Sequence, residues 1–396
     1  MLFKKGELKQ LWPFYLSRLI EGLSMVITPF IAIYFIGLGF TFLQISIITA
    51  VYGLSMLIFE IPTSAFADGF SRKYSMLIGL LIVAIAFTLI PLVTDFKLII
   101  LLHIFGGLGM AFTSGTEEAW IIDNLKEEGR DDLRQEYFIK INIFLAMGAI
   151  FAPIIGAVLA KYYSIKLLWF VFSFGFFVNA VLVITCCKEH SPRKNSKPLD
   201  LVRKTYHNSL LSLMYSLRHK VVFFSVVAGL FTQFMSCSFV GNQQFLVSLG
   251  MKENQLGYMY SIAEITGLLT VFFSRFLTKY KPKNVMSFIV LIVMTLLLSL
   301  LFVPPPFFIV ACAIFIMKDG IMAMGSPIYQ TYLHSFIPGK IRASTLSVNN
   351  MATQLVIALS SIVAGVLLDF FGPQKVISLA GLFGIAAIFF YQKIKD

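Results

Sequence analysis

Charge is what this chain has least of. Asp, Glu, Lys and Arg make up 13% of its 396 residues, against roughly 25% in soluble domains, which excludes an ordinary soluble enzyme. Catalytic signatures are missing too. There is no Gly-x-x-x-x-Gly-Lys-Ser/Thr phosphate loop, so the chain does not power itself with ATP, and neither His-Glu-x-x-His nor Gly-x-Ser-x-Gly occurs. No enzymatic role and no cofactor is expected. Cysteine is scarce: Cys186, Cys187, Cys237 and Cys312 carry no metal-ligand spacing and read as unpaired thiols, with no metal site. Acid is scarcer than base, 20 Asp+Glu against 32 Lys+Arg, a net charge of +12. In a soluble protein that balance would suggest nucleic acid. Here the bases lie between long apolar runs, and nucleic acid is unnecessary.

Hydrophobic residues are abundant: 58% of the chain, 41 of them Phe, with a mean hydropathy of +0.84. About 20 apolar residues cross a bilayer as a helix. Twelve such runs are present: Trp12–Ile36, Leu43–Ala67, Ser75–Val93, Leu98–Ile122, Phe138–Ala160 and Leu167–Cys187, then Val222–Leu246, Gln255–Leu277, Val285–Val303, Phe307–Leu333, Ala343–Phe370 and Val376–Ile394. With the N-terminus inside, Lys97, Lys161, Lys166, Lys252 and Lys375 fall outside, and Arg18 and Lys318 lie within spans. The other Lys and Arg fall at cytoplasmic ends and loops, so both termini are expected in the cytoplasm. Met1-Leu-Phe-Lys4-Lys5 resembles a signal-peptide start. The run behind it is too long, contains Arg18 and Glu21 and lacks a small-x-small cleavage site, so it reads as a retained first helix.

The longest interruption, Lys188–Lys220, predicts a division into residues 1–187, a cytoplasmic linker 188–220, and residues 221–396. Within the linker Leu199, Val202, Tyr206, Leu210, Leu213 and Leu217 recur at helical spacing, as in an amphipathic helix lying on the cytoplasmic leaflet. The expected fold is therefore an all-α membrane protein of twelve transmembrane helices in two six-helix halves. Sequence similarity between the halves is weak, and symmetry of topology carries that division. Every third span (3, 6, 9 and 12) is essentially free of interior charge and expected to face lipid. The charges lie in span 1 (Arg18, Glu21), span 2 (Glu60), span 4 (Glu117, Glu118), span 8 (Glu264) and span 10 (Lys318, Asp319).

An ionised side chain at mid-bilayer costs about 2.5–3.5 kcal/mol on insertion scales, so each of these needs an explanation. Arg18 and Glu21, three residues apart, share a helix face. They form either a local ion pair that allows insertion or a cavity site in which Glu21 exchanges a proton and Arg18 sets its affinity. Lys318 and Asp319 lie about 100° apart around their helix and are not expected to pair well. Glu264 has no local cation. A carboxyl that is neutral when dry and charged when wet carries a proton, and the plainer alternative is a protonated hydrogen bonder to Asn142. Proton coupling is thus expected among Glu264, Asp319, Glu21, Glu117 and Glu118. The substrate cavity is expected at Arg18, Glu21, His103, Gln233 and Lys318. His103 either titrates or is a hydrogen-bonded structural histidine. Uncharged amides add Asn142, Asn242, Gln244, Asn349, Asn350 and Gln354.

The loop between spans 2 and 3 reads Ser64-Ala-Phe66-Ala67-Asp68-Gly69-Phe-Ser71-Arg72-Lys73. It resembles the Gly-x-Leu-Ala-Asp-Arg-x-Gly-Arg-Arg loop of the major facilitator superfamily, keeping Ala67, Asp68, Arg72 and Lys73 and departing at Ser64, Gly69 and Ser71. The every-third-span regularity is the superfamily's as well, so the resemblance covers the whole chain. It implies secondary transport by two rocking halves, with Asp68, Arg72 and Lys73 in a cytoplasmic gate. In that gate Asp68 would meet the start of helix 11, Arg342-Ala-Ser344-Thr, whose N-terminal dipole favours a carboxylate. In helix 4, His103-Ile-Phe-Gly106-Gly107 is similar to the Arg-x-x-Gln-Gly of proton-coupled exporters, with His103 in the arginine's place. Glu117-Glu118 followed by Asp123 looks like the tetracycline- and macrolide-exporter subgroup. Helix 5, Gly148-x-x-x-Ala152-Pro153-x-x-Gly156-Ala157, resembles the Gly-Pro-x-x-Gly-Gly element of antiporters, although small residues at this spacing also serve helix packing. The resemblance implies a monomeric inner-membrane transporter whose partners are a small molecule, protons and lipid, exporting hydrophobic or cationic compounds. The rival readings are proton-coupled uptake of a small polar or anionic solute, and a lipid-handling or non-transporting protein on the same scaffold.

Overall fold

The computed structural model describes residues 3–189, 210–339 and 341–394, without the side chains of residues 342 and 343. It is helical throughout, and among the described residues there is no strand. Among the described residues, twelve helices or broken helices are long and apolar enough to cross a membrane, from Glu7–Gly37 to Pro373–Gln392. The first six spans are α1 (Glu7–Ser24) with α2 (Ile31–Gly37), α3 (Phe42–Gly69), α4 (Arg72–Leu89), α5 (Phe96–Thr113) with α6 (Thr116–Glu127), α7 (Arg134–Tyr162) and α8 (Ile165–Cys186). The second six are α9 (Lys220–Phe234) with α10 (Phe239–Ser248), α11 (Gln255–Leu277), α12 (Pro282–Ser299), α13 (Phe308–Ser335), α14 (Arg342–Phe371), and α15 (Pro373–Ala380) with α16 (Phe383–Gln392).

Four spans are broken, and local chemistry accounts for two of the breaks. Span 1 passes through a 3-10 turn, Met25–Phe30, where Pro29 lacks the N–H that an α-helix needs. Span 4 breaks at Gly115, whose φ of +67° is a left-handed conformation open to glycine. Starts are capped where loops end. Ser71 Oγ accepts from Tyr74 N–H at 3.1 Å, and Asp95 Oδ1 accepts from Leu98 N–H at 3.0 Å.

By contacts the chain divides into two compact units, Met1–Pro29 with Val51–Lys204, and Phe30–Ala50 with Thr205–Asp396. In the first, α1 lies against α7 and α8, and α4 against α5 and α8. The α1–α7 contact depends on small residues: a Cβ on Gly148 would come within 2.6 Å of Leu19 O and Leu23 N. In the second unit, α11 lies along α13, and α9 along α16. Residues 30–50, which precede the linker by far, group with this second unit. Two groups hold them there. Gln243 Oε1 accepts from Ala32 N–H at 2.9 Å, and the Asp369 carboxylate accepts from Phe42 N–H at 2.8 Å and Leu43 N–H at 3.0 Å. The amphipathic linker segment falls largely outside the described residues. Residues 210–218 are helical, with Leu210, Leu213 and Leu217 exposed and Tyr215 Oη donating to Phe336 O at 2.6 Å.

Candidate functional site

Within the first unit, the break at Gly115 brings Glu117 to a place that span periodicity alone does not predict. Its side chain is 4% exposed, and its Oε1 accepts from Arg18 Nε at 3.0 Å and from Tyr137 Oη at 3.1 Å. Arg18 Nη1 meets Glu21 Oε2 at 2.9 Å, so the local pair predicted one turn apart in α1 is present and has a third member on α6. Two carboxylates thus share one guanidinium in a largely buried place. The group carries one excess negative charge when both acids are ionised and none when one binds a proton. Charges withdrawn from water this way persist only when paired. Glu118, one residue on, is exposed and makes none of these contacts.

His103 lies away from this cluster. It is buried, its Nδ1 is 2.8 Å from Ile99 O, and Tyr52, Phe87 and Trp169 surround its ring. This is the surroundings of the packed, hydrogen-bonded alternative. Asn142 donates to Phe138 O of its own helix at 2.7 Å.

At the ends of α3 and α4, Arg72 is the hub. Its guanidinium meets Asp123 Oδ2 at 2.6 Å and Asp68 Oδ1 at 3.2 Å and donates to Ala119 O. Glu189 Oε1 accepts from Arg72 N–H at 2.7 Å and Glu189 Oε2 from Ser71 Oγ at 2.5 Å, placing a carboxylate on the positive end of α4. Lys73 Nζ donates to Ile184 O at 3.0 Å and Cys187 O at 2.6 Å. The three predicted gate residues are therefore gathered, together with Asp123 and Glu189. The side chain of Arg342, at the expected partner of Asp68, lies outside the described residues. All four cysteines are free, and burial pushes the Cys187 thiol up to about 12.

In the second unit the structure corrects one expectation. Lys318 Nζ and Asp319 Oδ1 pair at 2.7 Å, although they are adjacent. A lysine stem is long enough to span the angle that separates the two Cα–Cβ directions. Asp319 is half exposed, at 49%. Glu264, on the adjoining α11, is exposed and within electrostatic reach of Asp319. These three repeat the first unit's ratio of one base to two acids.

A cavity of about 290 Å³ opens in this unit between α9, α12, α13 and α14. Gln233, one of the predicted cavity residues, lines it with Tyr329, Gln330, Asn349, Asn350 and Thr353, and among the described residues no lining residue is charged. Lys318 is not among them. Tyr329 Oη donates to Ser225 O at 3.4 Å, while Thr353 Oγ1 donates to Asn349 O of its own helix at 2.9 Å. The sequence marks Gln233, Asn349 and Asn350 as amides in spans. Tyr137, Glu189 and Gln330 it does not single out, because a tyrosine, a loop acid and a span-end glutamine carry no signal of their own.

The sequence profile of the Major Facilitator Superfamily matches residues 14–361. The chain belongs to that superfamily. An uncharacterized MFS-type transporter of Bacillus subtilis (strain 168), YxaM, is 26% identical over 399 residues, covering 97% of this chain and 96% of that protein. Among solved structures, the nucleoside transporter NupG superposes with a TM-score of 0.78 at 16% identity, covering 97% of this chain and 99% of that one. The D-xylose-proton symporter superposes with a TM-score of 0.75 at 14% identity, covering 98% of each. These two likenesses speak for the fold alone. The superfamily member described here is a multi-pass helical membrane protein.

Proposed function

We propose that this superfamily member is a proton-coupled secondary transporter working by alternating access, with Glu117, Glu21 and Arg18 as a proton-exchanging group. The observation that carries the reading is the largely buried set of two carboxylates on one guanidinium, Glu117 buried and Glu21 partly exposed, which becomes neutral on binding one proton. A group of this kind suits a cycle in which the loaded and empty forms differ by one proton. Glu264 with Asp319 and Lys318 forms the second candidate, while Asp68, Arg72 and Lys73 act in the cytoplasmic gate. The distribution of Lys and Arg supports an inner-membrane orientation with both termini in the cytoplasm, and the protein acts as a monomer.

Export of a hydrophobic or cationic compound is the direction supported by the Ala152-Pro153 element and the helix 4 acids. A specific observation favours the second reading, proton-coupled uptake of a small polar solute. The cavity of the second unit is lined by amides and hydroxyls, with no charge among the described residues. Right-side-out proteoliposomes with an imposed pH gradient separate the two. Uptake of a polar solute driven by an acidic exterior supports import. Gradient-driven exclusion of a lipophilic cation supports export, and a protonophore abolishes whichever occurs. No proton movement with any compound would refute the coupling.

A further inference from the structure

We propose that the cavity between α9, α12, α13 and α14 is a binding site for an uncharged, hydrogen-bond-rich solute of sugar or nucleoside size. The proposal rests on the reading of the chain as a solute transporter and names the class of solute.

The cavity contains two kinds of polar group. The Tyr329 hydroxyl is engaged with the backbone of α9, and the Thr353 hydroxyl with that of its own helix. Gln233, Gln330 and Asn350 differ: among the described residues their side-chain amides have no hydrogen-bond partner, yet all three lie in spans and face the cavity. A primary amide offers two N–H donors and a carbonyl acceptor. In a bilayer-spanning segment such groups are satisfied by water or by a solute, since lipid offers neither donor nor acceptor. The three converge from α9, α13 and α14 on one space, which is the pattern of a few placed polar groups that orient a small ligand.

The chemistry discriminates between solute classes. A charged solute would leave water for a site whose described lining residues offer no counter-charge, and would not recover the lost hydration. A wholly apolar solute would displace water from three amides and leave them unpaired. A neutral solute with several hydroxyls, or with the mixed donor and acceptor edge of a nucleobase, satisfies amides of both polarities at once. At about 290 Å³ the space is at the small end of small-molecule pockets, which run from about 300 to 1,000 Å³. Tyr329 and Tyr391 supply an aromatic surface on which a sugar ring or base can lie.

The test measures binding to the full chain in lipid nanodiscs, by the shift of its thermal unfolding midpoint with probe concentration. The probes are D-xylose, D-glucose, uridine and adenosine on one side, and tetraphenylphosphonium and ethidium on the other. At least one uncharged probe is expected to raise the midpoint in a saturable way. Gln330→Leu combined with Asn350→Leu should weaken that probe at least tenfold while leaving the midpoint without probe in place. A second variant, Gln233→Glu, should add affinity for the cations and lose it for the neutral probe. The proposal is overturned if only the cations stabilise the unaltered protein, if none of the neutral probes does, or if the neutral shift survives both substitutions. Binding is read without a proton gradient. Intact binding with no gradient-driven transport would therefore count against the coupling group and not against this site.

Discussion

Removing the Asp369 carboxylate isolates a single contact whose size the structure sets. Asp369 accepts from Phe42 N–H at 2.8 Å and from Leu43 N–H at 3.0 Å, so it caps the first turn of α3 from the far end of α14. Loss of an N-terminal cap costs about 0.5–2 kcal/mol, and a carboxylate at the positive end of a helix adds about 0.3–1 kcal/mol at an exposed site. Asp369 is exposed, which screens the second contribution, so Asp369→Ala should cost about 1–1.5 kcal/mol. That is roughly a tenfold change in the population of forms in which the start of α3 has left Asp369. Hydrogen exchange read by mass spectrometry over residues 40–50 should quicken by about this factor, while exchange over residues 72–89 stays as it was. Asp369→Asn retains one acceptor oxygen and should fall between. Unchanged exchange over residues 40–50 in Asp369→Ala would refute the reasoning, because the two amides would then be held by something other than this carboxylate.

Three further outcomes follow from the same geometry. Lys140 Nζ lies 2.5 Å from Glu7 Oε1, and Glu7 is 0% exposed, so Lys140→Met leaves a buried carboxylate without its cation. The loss should be about 3 kcal/mol, the low end for breaking such a pair, read as a lowered unfolding midpoint. With its thiol pushed up to about 12, Cys187 is almost wholly protonated at pH 8. Since the thiolate is the nucleophile, maleimide should label Cys187 in folded protein far more slowly than in urea, and rapid labelling at pH 8 would contradict the burial. Asp68→Asn removes one of the two carboxylates on Arg72 but leaves Asp123, so the protein should insert normally. If Asp68 acts in the proposed gate, cysteines placed around Asp68 and Arg72 should then label faster, and unchanged labelling with unchanged transport would remove Asp68 from that role.

The fold was open to a reading of the sequence because a bilayer imposes a length and a polarity on each span, and twelve runs meet both. The breaks were harder to read. Pro29 and Gly115 each have a known local effect, but proline and glycine also occur within unbroken spans, as Pro62 and Pro153 do. The Arg18–Glu21 pair was legible because one helix turn fixes it. Its third member was not, since Glu117 is 99 residues away and reaches Arg18 only through the turn at Gly115. Lys318 and Asp319 show the opposite failure. Backbone angle alone separates them, and side-chain length reunites them. Asp369 and Gln243, which tie residues 30–50 to the second unit, are single polar residues whose hydrogen bonds leave no periodic trace.

Gradient-driven transport and substrate exchange in Glu117→Gln, measured side by side in proteoliposomes, test the central claim most directly. Glutamine keeps an oxygen to accept from Arg18 and Tyr137 but cannot exchange a proton, so the solute site and the fold should survive the change. The account predicts that transport driven by a pH gradient is lost while exchange of labelled for unlabelled solute across equilibrated membranes continues. Full gradient-driven transport in Glu117→Gln and in Glu21→Gln alike would contradict it and move the proton to Glu264 and Asp319.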